Sequence, residues 1–255
     1  MEHLLDLMIG EDIVTRFEGG PTTVYGIKQG RAAVASYYRN TIVHYFVNKA
    51  IIELALIAVT ESDLDDSSHP TIFWSEVDEL RDLFKFEFFY PPTAVFHGEI
   101  EAELNRISLN WSADLVNGPQ GARKLLMLMT PQAAHMTLQI FAESYSLGAD
   151  IIASLGSYED LDQDEFVDRC MNYGRQAFLQ RRISSEASMG KLLFQNCWKM
   201  LVSRQLTDQS LPDYTLAREQ QALALTNLVR RIEVSRASAT ASRGSCLFAS
   251  VTSMI

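Results

Sequence analysis

From residue 33 to 59 the chain reads "AVASYYRNTIVHYFVNKAIIELALIAV", its longest apolar run, interrupted by Arg39, Asn40, His44, Lys49 and Glu53. Val43, Phe46, Val47, Ala50, Leu54, Ile57 and Ala58 recur at helical spacing, and Tyr38, Ile42, Tyr45 and Ile52 lie opposite them. The pattern predicts one long helix over about residues 31 to 60, apolar nearly all round beyond its first turns and packed on several sides. A membrane span would need about 20 predominantly apolar residues, and each charge near its centre costs about 2.5 to 3.5 kcal/mol. Lys49 and Glu53 therefore favour a buried soluble helix.

The same reading makes the rest of the chain helical. "MEHLLDLMIGEDIVTRF" predicts an amphipathic helix broken near Gly10, and "GGPTTVYGIKQG" a short strand pair or extended excursion near residues 20 to 28. "SDLDDSSHP" is a polar linker whose Pro70 suits a helix start, and a further helix begins after the double proline Pro91–Pro92. "VNGPQG" reads as a turn; helices follow near 121–129, 131–155, 162–182, 186–205 and 211–236. The expected fold class is all-α, with a helical domain over 1–236 and a loose tail over 237–255, where Ser, Ala and Thr replace any apolar stripe.

Composition narrows the function. A net charge of −10 over 255 residues argues against a nucleic-acid surface, which depends on clustered Lys and Arg. Cys170, Cys197 and Cys246 are widely spaced, without a zinc or disulfide pattern, so a reducing compartment is expected. The opening "MEHLLDLMIGED" carries four acids and no basic n-region, so no signal peptide is expected.

Candidate chemistry is sparse. Arg39 and Asn40 offer a planar donor fork and an amide, suited to a carboxylate or phosphate. The alternative, favoured because ion-pair networks are commoner than sites, pairs Arg39 with Glu76, Glu79 or Glu87. His44 is a candidate proton-transfer group without a visible partner. "HGEIEAEL" after Tyr90 lacks the second histidine of a metalloprotease helix, and "YEDLDQDEF" lacks the glycine of a calcium loop, leaving its acids as helix caps. "GPQGARK" lacks phosphate-loop spacing. Arg175, Arg181 and Arg182 form the most basic stretch, either an anionic-headgroup contact or, the favoured alternative, a solvated helix end. No metal or cofactor is expected.

"YYRNTIVHYFVNKAIIELAL" resembles the segment following the catalytic domain in bacterial glycerol-3-phosphate acyltransferases, where a Tyr-Tyr-Arg-Asn run opens a long helix. "LRDLFKFEFFYP", "ESYSLGADIIASL" and "GRQAFLQRRISSEASMGKLLFQNCWKML" keep that family's order, and the likeness is greatest to the actinobacterial, mycobacteria-like branch. The resemblance implies a membrane-peripheral enzyme at the cytoplasmic face. It moves an acyl group from acyl-CoA or acyl carrier protein to glycerol-3-phosphate, giving lysophosphatidic acid. In that family a histidine is the base and an aspartate five residues later orients it. Here the five histidines are followed at that offset by Met8, Lys49, Trp74, Ala102 and Ile140. The chain therefore resembles only the C-terminal helical portion, inactive alone. Its expected partner is an acyltransferase catalytic domain in cis or trans, with Arg39 and Asn40 as interdomain or substrate contacts. The alternative function is a stand-alone interaction protein docking through the 37–59 helix; a weaker third is an enzyme using His44.

Overall fold

The computed structural model of the chain describes residues 2–20, 23–31, 34, 35, 37, 41–62, 68–129, 132–155, 161–210 and 213–252, with side chains described as far as residue 235 except at residues 2 and 4. It is an all-α fold with, among the described residues, one two-stranded hairpin. The helices are α1 (Glu2–Gly10), α2 (Val47–Thr60), α3 (His69–Leu83), α4 (Thr93–Ile107), α5 (Trp111–Val116), α6 (Gly118–Leu128), α7 (Gln139–Ala153), α8 (Gln163–Leu179), α9 (Lys191–Ser203) and α10 (Tyr214–Thr252). Strands β1 (Val14–Phe17) and β2 (Val24–Ile27) follow α1.

The greasy helix is the first axis of the bundle. Ala50, Ile51, Ile52, Leu54, Ala55, Leu56 and Val59 of α2 are all fully buried, because α3, α4, α6 and the short 3-10 turn Ala134–Leu138 pack around it and α10 touches it as well. Each large aliphatic side chain so placed contributes about 1.5 to 3 kcal/mol. The described helix is shorter than the apolar pattern predicts: Val43–Tyr45 is a separate 3-10 turn, and Phe46 caps α2. Thr41, Ile42 and Val43 form a β-branched run that weakens helix continuity at this point.

Helix α7 is the second axis, with α8, α9 and α10 packed along it. An aromatic cluster joins the two halves: Phe84 meets Phe88, Phe141 and Tyr145, and Phe88 meets Tyr90. Ion pairs fasten the ends. Arg204 donates to Glu79 (2.7 Å) and Asp82 (2.9 Å), while Arg231 reaches Glu61 and Glu76, tying α10 to α3. The loop after α8 is held from inside: Glu143, fully buried in α7, accepts from Gln139 Nε2 (2.9 Å), the Ser184 amide (3.1 Å) and the Ser188 hydroxyl.

Three local expectations are corrected. Residues 14–17 are not helix. Asp12 adopts a left-handed φ of 61° and turns the chain, so that Val14 pairs with Ile27 and Phe17 with Val24. "GPQG" is not a free turn but the start of α6, where Pro119 occupies a first-turn position that needs no amide hydrogen. The segment over 131–155 is divided into the 3-10 turn Ala134–Leu138 and α7. Asp162, by contrast, caps α8 as its sequence suggests, accepting from the Glu165 amide at 2.9 Å. Helix α10 continues through residue 252, over most of the stretch expected to be a loose tail.

Candidate functional site

At the foot of α2 a groove of about 910 Å³ opens between the Val43–Tyr45 turn, the Phe86–Pro91 strap and the start of α9. His44 and Asn48 stand on one wall, Tyr90 and Phe141 on another, and Glu87 and Asn196 are its polar centre. Glu87 accepts from the Tyr145 hydroxyl (3.0 Å) and from Asn196 Nδ2 (3.3 Å). Burial raises its carboxyl to about 7; the two hydrogen bonds and nearby Lys199 oppose the rise. Tyr145 is pushed well above the ordinary phenol range, first by burial and then by Glu87. The groove thus holds a carboxyl that changes charge near neutrality inside an aromatic wall.

That shift has a consequence for stability. The folded-state value of Glu87 lies above the 4.5 of a free glutamate, so the fold favours the neutral acid. This contribution is complete below about pH 4.5 and lost as pH rises through about 7. Urea unfolding at about pH 5 and about pH 8 should therefore show the wild type losing up to about 3 kcal/mol relative to Glu87→Gln, in which the other titrating groups cancel. Equal pH dependence of the two proteins would contradict this.

His44 lies beside this groove with its ring against Tyr45, centroids 4.0 Å apart. Among the described residues no carboxylate hydrogen-bonds it, so the geometry supplies no orienting partner for a base there.

Several large apolar side chains are exposed. The hairpin exposes Phe17, Val24 and Ile27; Ile42, Tyr45 and Phe46 follow, and Phe89 is 100% exposed. The arm made by α1 and the hairpin is held by its own ion pairs, Arg16 with Asp6 and Glu18, and Asp12 with Lys28 and Arg31. Its main packing is likewise internal, α1 on β1 and β1 on β2. Exposed apolar side chains gathered on a hairpin and at a groove are a mark of an interface.

A family model described as the glycerol-3-phosphate acyltransferase C-terminal region matches residues 1–210. The chain belongs to that family. It is 31% identical over 234 residues to proteins named as candidate acyltransferases, plsB1, in Mycobacterium tuberculosis and Mycobacterium bovis. The match covers 89% of this chain but 37% of each relative, so the chain spans little more than a third of their length. No solved structure matches. Membership in an acyltransferase family disfavours the reading as a stand-alone interaction protein.

Within this acyltransferase region the sequence-derived candidates are separated. Arg39 and Asn40 lie outside the described residues. Glu76 is engaged by Arg231, Glu79 by Arg204, and Glu87 by Tyr145 and Asn196. Arg182 is tied down: it donates to Asp150 Oδ2 (2.8 Å) and to the Tyr173 hydroxyl, over whose ring it sits. Arg175 and Arg181 are exposed, Arg181 with a left-handed φ of 59°. The described residues contain no cluster able to hold a metal, and no described helix is long and apolar enough to cross a membrane. Cys170 and Cys197 are free and buried, and burial drives both thiols upward. Sequence reasoning considered Glu87 only as a partner for Arg39; an acid inside "KFEFFYP" was the available signal.

Proposed function

We propose that this chain is the helical C-terminal portion of a glycerol-3-phosphate 1-O-acyltransferase, the part that supports and positions the domain performing acyl transfer. In this reading acyl-CoA or acyl carrier protein donates to the sn-1 hydroxyl of glycerol-3-phosphate, giving lysophosphatidic acid. A catalytic domain, in cis or in trans, supplies the histidine and aspartate. The observation that carries the reading is the match over residues 1–210 to a C-terminal acyltransferase region in a chain where no histidine is followed by aspartate at the required offset.

The surfaces presented to that domain are the exposed apolar hairpin, Ile42, Tyr45 and Phe46, and Phe89 at the groove. Arg39 and Asn40, in the intervening sequence, are the proposed polar contacts across it. The domain proper is residues 1–236, whose last helix buries Leu225, Leu228 and Ile232 in the core; residues 237–255 are an appendage. Seating at the cytoplasmic membrane face falls to Arg175, Arg181 and Arg182, the last of which is also held by Asp150. If anionic vesicles bind the Arg175→Ala, Arg181→Ala double variant as well as the wild type, that seating is wrong.

The interface is tested by Phe17→Ser combined with Ile27→Ser. Both side chains are exposed, so the circular dichroism and melting temperature of the chain should be unchanged. Association with the catalytic domain of a family member should weaken by at least about tenfold. Unaltered association would move the interface elsewhere.

A further inference from the structure

A second cavity, of about 350 Å³, lies on the far side of α2, lined by Glu53, Thr60, Glu61, Arg123, Gln132 and His135 among others. Glu53 and His135 are almost wholly buried, at 0% and 1% exposure. Glu53 Oε2 accepts from the His135 amide at 2.8 Å and lies 2.7 Å from His135 Nδ1. We assign the neutral ring tautomer in which Nδ1–H donates to this oxygen, which leaves Nε2 presenting a lone pair. His135 Nε2 and Glu53 Oε1 are both buried and have no hydrogen-bond partner among the described residues. Leaving such acceptors empty costs about 1 to 3 kcal/mol each, so the site is built for a donor.

The mouth has the opposite character. Arg123 is exposed on α6 and has no hydrogen-bond or ion-pair partner among the described residues. Glu61 does not neutralise it, being engaged by Arg230 and Arg231. Gln132 adds an amide. Two orphan acceptors at the inner end and an uncommitted guanidinium at the outer one specify a ligand with a hydroxyl group at one end and an anionic group at the other.

We infer that this cavity is a binding site for a small hydroxylated anion, its hydroxyl donating to His135 Nε2 or Glu53 Oε1 and its phosphate or carboxylate held by Arg123. The inference stands on the cavity alone. It is tested on the purified chain by calorimetry and by nitrogen-15 signals of the histidine rings, with glycerol 3-phosphate, glycerate, inorganic phosphate and glycerol as separate probes. One of the first two should bind saturably with a Kd of about 1 mM or tighter and move the His135 Nε2 signal. Phosphate and glycerol alone should bind at least about tenfold more weakly, and Arg123→Gln, a surface change that spares the fold, should weaken the bifunctional probe about tenfold. A preference for glycerol 3-phosphate identifies the anion as phosphate, and one for glycerate as carboxylate. An unmoved His135 signal with every probe means that water alone fills the cavity and overturns the inference. Binding indifferent to Arg123→Gln overturns it too. Because no acyl transfer is read, failure here is distinct from failure of the acyltransferase reading.

Discussion

Replacing Gly121 with alanine is expected to destabilise the protein by more than about 4 kcal/mol, enough to lower its melting temperature by roughly 10 °C or to prevent folding. Gly121 is buried in the first turns of α6, and a Cβ added there would fall well inside van der Waals contact of the Asp114 backbone carbonyl in α5. The obstacle is backbone, so no rotamer change relieves it; the two helices must move apart and with them Ala122 and Leu125, both fully buried. The matched control is Gly98→Ala in the interior of α4, where nothing lies within 4 Å of the new Cβ. That change should stabilise by about 0.5 to 1 kcal/mol through helix propensity. Thermal melts of the two variants should thus shift in opposite directions. Equal shifts would mean that helix propensity, rather than close approach, governs position 121.

Glu143→Ala is the second large effect. The carboxylate is fully buried and takes hydrogen bonds from Gln139, the Ser184 amide and Ser188. Removing it strands the Gln139 and Ser188 donors in the interior, releases the Ser184 amide and leaves a cavity, for a loss of about 3 to 5 kcal/mol. Glu143→Gln keeps the volume and one acceptor, and the Ser188 hydroxyl can turn to accept from the new amide, so it should lose about half as much or less. Hydrogen exchange separates this from general weakening. The Ser184 amide should lose protection in Glu143→Ala by more than amides in α2, which Glu143 does not touch. Uniform loss across both would contradict a local clamp role.

The parts of the fold legible in the sequence are those where period alone decides. Val47, Ala50, Leu54 and Ala58 make a helical stripe that the period alone assigns to the core, and they are buried. Where a distant partner decides, the sequence misleads. Val14–Phe17 continues the apolar period of α1, and only pairing with Val24–Ile27 makes it a strand. "GPQG" carries two turn residues, yet Pro119 is harmless in a first helical turn and Gly118 takes a left-handed φ of 63° against the His69 ring, so α6 begins there. Likewise an acid or a base is visible, but its environment is not. Glu87 stands out among phenylalanines, but its partners Tyr145 and Asn196 lie 58 and 109 positions away. Glu53 is conspicuous in a greasy helix, while the histidine that explains it is 82 positions on. Arg182 reads as a free surface cation until Asp150, 32 positions earlier, comes up beside it.

Two kinds of surface emerge from the same helix α2. Its foot borders an open, aromatic groove with exposed Phe89 on its lining, while its middle buries the Glu53–His135 pair against a smaller cavity with exposed Arg123 at its mouth. The first supports a role in holding a catalytic domain, and neither requires this chain to carry the acyl-transfer histidine itself.

The central claim is a division of labour, and acyl transfer from labelled acyl-CoA to glycerol 3-phosphate measures it directly. The purified chain should be silent, and a family catalytic domain expressed without its own C-terminal region should gain at least about tenfold in rate when the chain is added. Transfer by the chain alone, or a catalytic domain equally active without it, would contradict the account.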